Sequence, residues 1–393
     1  MMSYLHNFGN THLSEKLKLS KKIGIDARFC TDHSTGVGRH VEELIKNLAK
    51  LDKDTQYVCF MKPEIAKNFK IPGKNFKIEP TYSPHYSVSE QFSFLRQINY
   101  HNFDLMVFPQ FNLPIFYRGK YVVTIHDLTL HLFPGKKKTD IFSRLAYKFI
   151  INRAVTKAKH IFAVSQNTKK DLIRILKVDQ KKISVTYNGV SRIFKPIKAE
   201  DVKQKFRKKY KISTKYFLYT GVLRTHKNVL GLINTYAKFQ EKHGDKQIDL
   251  VLTGPKDQIY WNEIKNLIKK LNLEQNIHHL GLVPHEEMNL LFGSSFAYIF
   301  PSFYEGFGIP PIEAMGCDIP VACSDTSSLP EACGDAALYF DPYDQNSMIE
   351  AFEQISFNKI LRKDLVKKGQ TQCQKFSWKK MTEQMLTVYK RII

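Results

Sequence analysis

A glycine-rich turn flanked by two carboxylates is the segment of the sequence best suited to chemistry. Residues 303–308 (Phe-Tyr-Glu-Gly-Phe-Gly) follow a predicted strand, and Pro310 and Pro311 open a predicted helix. Backbone N–H groups of such a turn, ahead of a helix, can bind a phosphate. Glu305 and Glu313 flank the turn, and Glu313, in the first helical turn, could accept hydrogen bonds from the hydroxyls of a ribose. Alternatively, Glu313 only complements the helix dipole and the glycines only form the turn.

The elements that must position this turn alternate between short apolar strands and longer amphipathic segments. Continuous apolar strands are typical of a buried parallel sheet. Two successive β/α series of similar size predict an α/β protein with two Rossmann-like domains and a ligand cleft at the carboxyl ends of the strands. The densely charged segment 192–215 is interpreted as a connection between them. We expect an N-terminal extension, two domains and a final helix over 1–22, 23–195, 196–375 and 376–393.

Residues that would mark other enzyme classes are missing or badly placed. A dinucleotide fingerprint needs a third glycine after Gly36 and Gly38, but Val41 occupies its position, which disfavours a nicotinamide enzyme. Asp52 and Asp54 form the one Asp-x-Asp sequence and are interpreted as a solvated turn, not a metal site. We therefore expect a metal-independent protein without a cofactor. Six scattered cysteines without a Cys-x-x-Cys pair indicate reduced thiols.

The segment 305–313, Glu-Gly-Phe-Gly-Ile-Pro-Pro-Ile-Glu, resembles the Glu-x7-Glu motif of glycosyltransferase family 4, whose members are retaining GT-B enzymes. Other similar segments occur in the family's order: IDAR, TGVGRH, IHDLTLHLFP, AVSQNTKKDL, VTYNGV, YTGVLRTHKN, LTGP and HLGLVPHEE. The terminal FSWKKMTEQMLTVYKR is similar to the helix by which the family's chain crosses back to the N-terminal domain. The resemblance covers residues 23–391. It implies the GT-B fold, with an acceptor-binding N-terminal domain and a nucleotide-sugar-binding C-terminal domain facing a central cleft.

The resemblance implies roles for five positions around the glycine-rich turn. Glu313 would bind the ribose of the nucleotide. Glu305 would contact the donor sugar and belongs with the catalytic candidates. The backbone around Phe307, Gly308 and Ile309 would contact the sugar and its phosphates.

Two cations follow the first strand of the second series. The resemblance implies that Arg224 and Lys227 neutralise the diphosphate, where negative charge develops as the leaving group departs. Many relatives place arginine directly before the lysine, where this chain has His226, so we assign Arg224 as the second cation. Without the family, both side chains could belong to an exposed basic loop.

His126, Gly36 and Gly38 complete the implied site in the first series. A lone histidine at the end of a strand is more often structural than catalytic. The match of residues 126–128 (His-Asp-Leu) to the family implies instead that His126 contacts the donor sugar near the reacting carbon. Gly36 and Gly38 resemble the family's first glycine-rich loop, which approaches the donor diphosphate and the acceptor.

The composition is that of a globular protein with a large excess of positive charge. The 393 residues include 60 Lys and Arg against 37 Asp and Glu, a formal net charge of +23. Such an excess predicts attraction to nucleic acid, a phospholipid surface or a phosphorylated substrate. No recognisable RNA- or DNA-binding signature occurs, which disfavours nucleic acid. No stretch approaches the roughly 20 apolar residues of a membrane span, and no signal-peptide core is apparent, so we expect a cytoplasmic protein.

Almost half of the charge excess lies in residues 131–182, with 14 Lys and Arg against three acidic residues. A predicted helix over 141–159 places four cations on one face and three apolar side chains on another: Arg144, Lys148, Arg153 and Lys157, against Phe142, Leu145 and Phe149. A basic amphipathic helix can lie on anionic lipid; the alternative is a solvated face over an ordinary core stripe. We expect peripheral association with the inner face of the cell membrane through 131–182.

The resulting hypothesis is a retaining glycosyltransferase that moves a hexose from a nucleotide sugar to a hydroxyl group of a glycan. The charge distribution favours a lipid-linked acceptor. The IDAR, GVGRH, HDL and HKN segments resemble mannosyl- and rhamnosyltransferases of bacterial surface-polysaccharide pathways, including lipopolysaccharide synthesis, so GDP-mannose is the first donor to test. Two alternatives stay open: a nucleotide-sugar epimerase or hydrolase of the GT-B fold, and a basic nucleic-acid-binding protein.

Overall fold

The computed structural model describes residues 20–31, 36–70, 72–133, 141–212, 215–244 and 248–393. Only the last three positions of the predicted extension 1–22 fall within these ranges. Part of the basic segment 131–182, namely 134–140, and the side chain of Phe142 also lie outside the described residues.

The first domain contains a seven-stranded parallel sheet of order β3-β2-β1-β4-β5-β6-β7. Its strands are β1 Lys22–Asp26, β2 Gln56–Met61, β3 Phe76–Pro80, β4 Leu105–Phe108, β5 Tyr121–Ile125, β6 His160–Ala163 and β7 Ile183–Val185. Its helices are α1 Val37–Leu51, α2 Pro63–Asn68, α3 Leu95–Tyr100, α4 Thr129–Leu132, α5 Ile141–Lys157 and α6 Gln166–Leu176. A π-helical turn, Glu90–Phe94, leads directly into α3.

The second domain contains a six-stranded parallel sheet of order β10-β9-β8-β11-β12-β13. Its strands are β8 Tyr216–Thr220, β9 Asp249–Thr253, β10 Ile277–His279, β11 Ala297–Phe300, β12 Val321–Ser324 and β13 Ala337–Phe340. Its helices are α7 Glu200–Tyr210, α8 Val229–His243, α9 Gln258–Lys270, α10 Met288–Gly293, α11 Ile309–Gly316, α12 Leu329–Cys333, α13 Gln345–Phe357 and α14 Lys359–Cys373. The last helix of the chain is α15, Trp378–Ile392.

Both sheets reverse their strand order at one point, between β1 and β4 in the first domain and between β8 and β11 in the second. Of these strands, β4, β8 and β11 are fully buried, as their apolar sequences predict, and β1 is buried except at Lys22. Loops that leave the carboxyl ends of strands at such a switch point diverge and open a crevice for a ligand. The predicted site residues follow the carboxyl ends of β1, β5, β8 and β11, so the fold directs them toward one region.

The helix α15 returns to the first domain, as expected. Met385 and Tyr389 are fully buried against the first sheet and α1, and the ring of Tyr389 lies 5.9 Å from that of Phe162 on β6. At the start of the helix, the backbone N–H of Trp378 passes so close to Gly189 that a Cβ atom there would lie 2.1 Å from it. The C-terminal helix therefore ties the end of the chain to the N-terminal domain.

Three elements differ from the sequence prediction. The segment 192–215 is not merely a connection, because it contains α7, whose Lys, Arg, Glu and Gln residues favour helix and whose charges complement the helix dipole. The strands β3 and β13 were not predicted. Both lie at sheet edges and are only half-buried, so their sequences lack the continuous apolar pattern of the central strands.

The helix α5 has the predicted position but not the predicted faces. Its buried side is formed by its second half, by Ile151, Ala154 and Val155. Leu145 and Phe149 are 57% and 59% exposed, and Arg144 and Lys148 are exposed with them. The predicted separation of cations from apolar residues is therefore wrong, and so is the alternative that these two apolar side chains form a core stripe.

Candidate active site

The glycine-rich turn of the second domain lies against the end of β5 in the first. A Cβ atom on Gly306 would lie 1.9 Å from the carbonyl oxygen of His126. Thr168 on α6 donates to the carbonyl oxygens of both residues, over 3.2 Å to Gly306 and 3.3 Å to His126. Only glycine fits such an approach. The predicted motif and the predicted histidine, far apart in sequence, therefore meet at the cleft.

The first carboxylate of the motif, Glu305, forms an ion pair with Lys227 at the carboxyl end of β8. Both side chains are largely buried, and the ammonium lies 5.5 Å from the centre of the Phe300 ring. Two serines hold the backbone of Glu305: its N–H donates to Ser327 Oγ over 3.0 Å, and Ser328 Oγ donates to its carbonyl. A cation suited to phosphate and a carboxylate suited to sugar hydroxyls are thus held side by side.

The second carboxylate, Glu313, is buried and forms an ion pair with Arg39 across the cleft, with 3.1 Å between Oε1 and Nη1. Burial raises the pKa of Glu313 to about 7, against the charge of Arg39, which lowers it. The sequence predicted Glu313 in the first turn of this helix. The helix begins at Ile309, however, so Glu313 is its fifth residue and lies beyond the first turn. The effect of the helix dipole falls off within the first turn, so the dipole does not explain a buried carboxylate at this position.

The turn that precedes α11 depends on Gly308 and Phe307. Gly308 has φ 93°, a left-handed conformation that favours glycine, and a Cβ atom there would lie 2.6 Å from Leu329 Cδ2. The ring of Phe307 is buried against Tyr187 and Phe376, with ring centres 5.7 and 5.2 Å away. The side chain of Phe307 is therefore structural, which leaves its backbone, with that of Gly308 and Ile309, for a ligand.

His126 is held as a neutral hydrogen-bond acceptor. Its Nε2 lies 2.9 Å from the carbonyl oxygen of Pro109, and since a carbonyl only accepts, Nε2 carries the proton and Nδ1 keeps a lone pair. Burial lowers the pKa of His126 to about 4. The ring of His40, on α1, contacts it edge-on with centres 4.9 Å apart. His126 can therefore orient a hydroxyl group through Nδ1, but it is not charged near neutral pH.

The remaining predicted residues lie at the same edges of the two sheets. Arg224 is exposed and immediately precedes the 3-10 turn Thr225–Lys227. Burial and the neighbouring Lys227 lower the pKa of His226 to about 3, so His226 is neutral and adds no charge. Gly36 has φ 52° and immediately precedes α1, and Gly38 is buried in the first turn of that helix. The first glycine loop thus leads directly to Arg39.

Further contacts between the domains were not predicted from the sequence. Glu331 on α12 accepts hydrogen bonds from the backbone N–H groups of Gln166 and Asn167, at the start of α6, over 2.7 and 3.2 Å, and from Tyr187 Oη over 2.7 Å. A carboxylate at a helix N-terminus is favourable. No sequence pattern joins Glu331 to a helix more than 160 positions away, so the contact is visible only in three dimensions.

The described residues contain no group of three or more His, Cys, Asp or Glu side chains arranged to hold a metal ion. Asp52 and Asp54 form a turn, as predicted, but Asp52 is 2% exposed rather than solvated. Its carboxylate accepts from Tyr57 Oη over 2.9 Å and from two backbone N–H groups. Asp52 therefore closes the turn after α1.

Within the described part of the chain, no helix combines the length and apolar character needed to cross a membrane.

The geometry of this site agrees with the protein families that the sequence matches. Residues 34–192 match the family described as Glycosyltransferase Family 4, and residues 202–372 match Glycosyl transferases group 1. The O-antigen chain mannosyltransferase B of Escherichia coli is 31% identical over 290 residues, which cover 72% of this chain and 73% of that protein. The chain belongs to glycosyltransferase family 4. Another relative, the O-antigen chain mannosyltransferase RfbU of Salmonella typhimurium, is 30% identical over 233 residues, which cover 59% of this chain and 60% of that protein.

Solved structures of this family's fold superpose over nearly the whole chain. Sucrose-phosphate synthase from Thermosynechococcus elongatus has a TM-score of 0.78 at 19% identity and covers 95% of this chain and 99% of its own. Anabaena Alr3699/HepE in complex with UDP and glucose has a TM-score of 0.74 at 17% identity, covering 95% and 100%. These likenesses confirm the GT-B fold, and the family membership confirms a glycosyltransferase.

Proposed function

We propose that this glycosyltransferase moves mannose, with retention of configuration, from GDP-mannose to a hydroxyl group of a glycan in bacterial cell-surface polysaccharide synthesis. The observation that supports this most strongly is the meeting of Gly306 and His126, which places the ion pair Glu305–Lys227 and the buried Glu313 around one cleft. The mannosyltransferase relatives support the choice of sugar.

In this proposal, the second domain binds the donor. Glu313 accepts hydrogen bonds from the ribose hydroxyls, and the backbone N–H groups at the start of α11 bind the diphosphate. Lys227 moves from Glu305 to the phosphates, with Arg224 as the outer cation. The carboxylate of Glu305 is then available to the sugar hydroxyls. Positive charge at the leaving group stabilises the diphosphate as it departs, so no metal is required.

The first domain orients the sugar and brings the acceptor. His126 accepts a hydrogen bond from a sugar hydroxyl near the reacting carbon through Nδ1. The acceptor hydroxyl attacks from the face that the diphosphate leaves, and a phosphate oxygen takes its proton. Both the old C–O bond and the new one lie on the same face, which gives retention.

We also propose that the acceptor is lipid-linked and that the enzyme binds the inner face of the membrane through residues 131–182. On α5, Leu145 and Phe149 are exposed beside Arg144 and Lys148. Apolar side chains among cations can insert between anionic headgroups. Co-sedimentation with vesicles tests this: binding to anionic vesicles well above neutral ones is expected, and equal binding to both would refute membrane attachment through charge.

The donor assignment is tested by thermal unfolding with GDP-, UDP-, dTDP- and ADP-sugars. A ligand that binds only the folded protein raises the midpoint, and we expect the largest rise with GDP-mannose and a smaller one in Glu313→Gln. No rise with any donor would refute the donor site. Product analysis without acceptor distinguishes the alternatives, since an epimerase or hydrolase would convert the nucleotide sugar alone and a nucleic-acid-binding protein would not convert it at all.

A further inference from the structure

Arg39 connects the first domain to the carboxylate that we assign to the ribose. Arg39 lies in the first turn of α1, directly after the glycine loop. Its Nη1 lies 3.1 Å from Glu313 Oε1, and its Nη2 lies 2.6 Å from His285 Nδ1, both in the second domain. One guanidinium thus spans the cleft and contacts two separate elements of the opposite domain.

The position of Arg39 is fixed by the residue that follows it. His40 is fully buried, and its Nδ1 lies 2.9 Å from Asn188 Oδ1. The same ring also contacts that of His126 edge-on. The first turn of α1 therefore presents Arg39 to Glu313, on the proposed nucleotide side of the cleft, and His40 to His126, on the proposed sugar side. A movement of this turn would change both contacts.

Arg39 and Glu313 neutralise each other only while they are in contact. The side chains of Arg39 and Glu313 are 14% and 9% exposed. Burial and the charge of Arg39 lower the pKa of His285, so the imidazole is neutral and accepts the hydrogen bond. Among the described residues, Arg39 is the one side chain that hydrogen-bonds to Glu313. If the carboxylate turns to the ribose hydroxyls, an enclosed guanidinium is left facing the nucleotide, where leaving it unpaired would be costly.

We propose that Arg39 is a donor-binding residue supplied by the acceptor domain, and that its guanidinium binds the diphosphate next to the ribose held by Glu313. Guanidinium groups match phosphate oxygens with two parallel hydrogen bonds. Nucleotide binding would then hold the two domains together, so that the donor is engaged only when His126 is in place. This inference rests on the proposed function, because it names a further contact of the same donor site.

Isothermal titration of the full chain with GDP, and with guanosine as the probe that lacks phosphate, tests the proposal. Arg39→Ala should weaken GDP binding roughly 10- to 100-fold, as expected for a charge-assisted pair, and leave guanosine binding unchanged. Arg39→Lys keeps the positive charge beside Glu313, so we expect it to fold. It cannot form two parallel hydrogen bonds to a phosphate, so its affinity for GDP should lie between those of the wild type and Arg39→Ala. Lys46→Ala on the exposed side of α1 is the matched control and should bind like the wild type.

Each outcome separates the two proposals. GDP binding by Arg39→Ala that equals or exceeds that of the wild type would overturn the role of Arg39 and leave the donor site standing, since Arg39 would then only occupy Glu313 until the nucleotide arrives. Equal losses of GDP and guanosine affinity would also overturn it, because the contact would not be to phosphate. No binding of any nucleoside diphosphate by the wild type would refute the donor site itself, and Arg39 with it.

Discussion

The two domains share a strand order but carry different chemistry at the same edge of the sheet. In each, the first strand lies between the second and the fourth, and the loops at that point line the cleft. The second domain supplies a short-range ionic site, Glu305 with Lys227 and the buried Glu313. The first supplies a neutral histidine, His126, and one long cation, Arg39. The fold decides where a ligand can lie, and the loops decide which ligand it is.

The two domains also differ in the residues that they expose on their outer surfaces. Among the described residues, the first domain exposes six large aromatic rings and the second exposes two: Tyr82, Tyr86, Phe92, Tyr100, Phe116 and Phe149, against Tyr343 and Phe357. Exposed aromatic rings are enriched where proteins contact the membrane interface. In the proposed membrane attachment, this aromatic-rich first domain would face the lipid surface, while the second domain would hold the small polar donor.

The largest effect on sugar transfer is expected from the loss of Glu313 in the donor-binding domain. Glu313→Ala should lower kcat/KM for sugar transfer by roughly 100- to 1000-fold, since two charged hydrogen bonds to the ribose are lost. Glu350→Ala, an exposed residue of α13 in the same domain, serves as the control and should be active. A Glu313→Ala enzyme with near-normal kinetics would show that the second domain does not bind the donor through this carboxylate.

The two cations of the donor domain should differ in importance. Lys227 is enclosed and touches Glu305, whereas Arg224 is exposed at the start of the turn. We expect Lys227→Ala to lower kcat roughly 100-fold and Arg224→Ala roughly 10-fold or less, because water screens an exposed charge. Steady-state kinetics with saturating donor check this ranking, and the reverse order would contradict the assignment of Lys227 as the inner cation.

A surface variant of each domain tests the contrast between their outer faces. The double variant Leu145→Ser/Phe149→Ser should lower binding to anionic vesicles roughly 10-fold, because the apolar area available for insertion is lost. Ile360→Ser, on an 83% exposed position of the second domain, should bind like the wild type. Equal losses in both variants would mean that the first domain has no special role at the membrane.

The last expected effect concerns stability rather than activity or binding, namely the pH dependence of unfolding. The pKa of Glu313 is raised from 4.5 to about 7 in the folded protein, so the folded state binds the proton more tightly than the unfolded state. Its contribution to the free energy of unfolding is therefore greatest below pH 4.5 and is lost as the pH rises through 7. Between pH 5 and 8, the wild type should lose about 1 to 3 kcal/mol more than Glu313→Gln. Urea unfolding at several pH values measures this difference, and parallel curves would contradict the raised pKa.

Sequence reasoning reached the central strands from their continuous apolar runs. It reached the crossing helix and the Glu-x7-Glu motif through the resemblance to the family. It did not reach Arg39, whose partners Glu313 and His285 lie 274 and 246 positions away. It also missed α7, where dense charge hid a run of helix formers, and misassigned the apolar face of α5, because periodicity cannot say whether an apolar side chain meets a core or solvent. The contacts between the domains could not be predicted from the sequence, because they join surfaces that no periodic pattern of residues connects.

The most direct test of the glycosyltransferase assignment is a transfer assay with radiolabelled GDP-mannose and membranes that carry polysaccharide precursors. The wild type should place mannose on a lipid-extractable glycan and release one GDP for each mannose transferred, with the α configuration of the donor kept in the product, and Glu313→Gln should transfer almost none. Release of free mannose at the same rate without acceptor, a product of inverted configuration, or equal transfer by Glu313→Gln would contradict the proposed reaction.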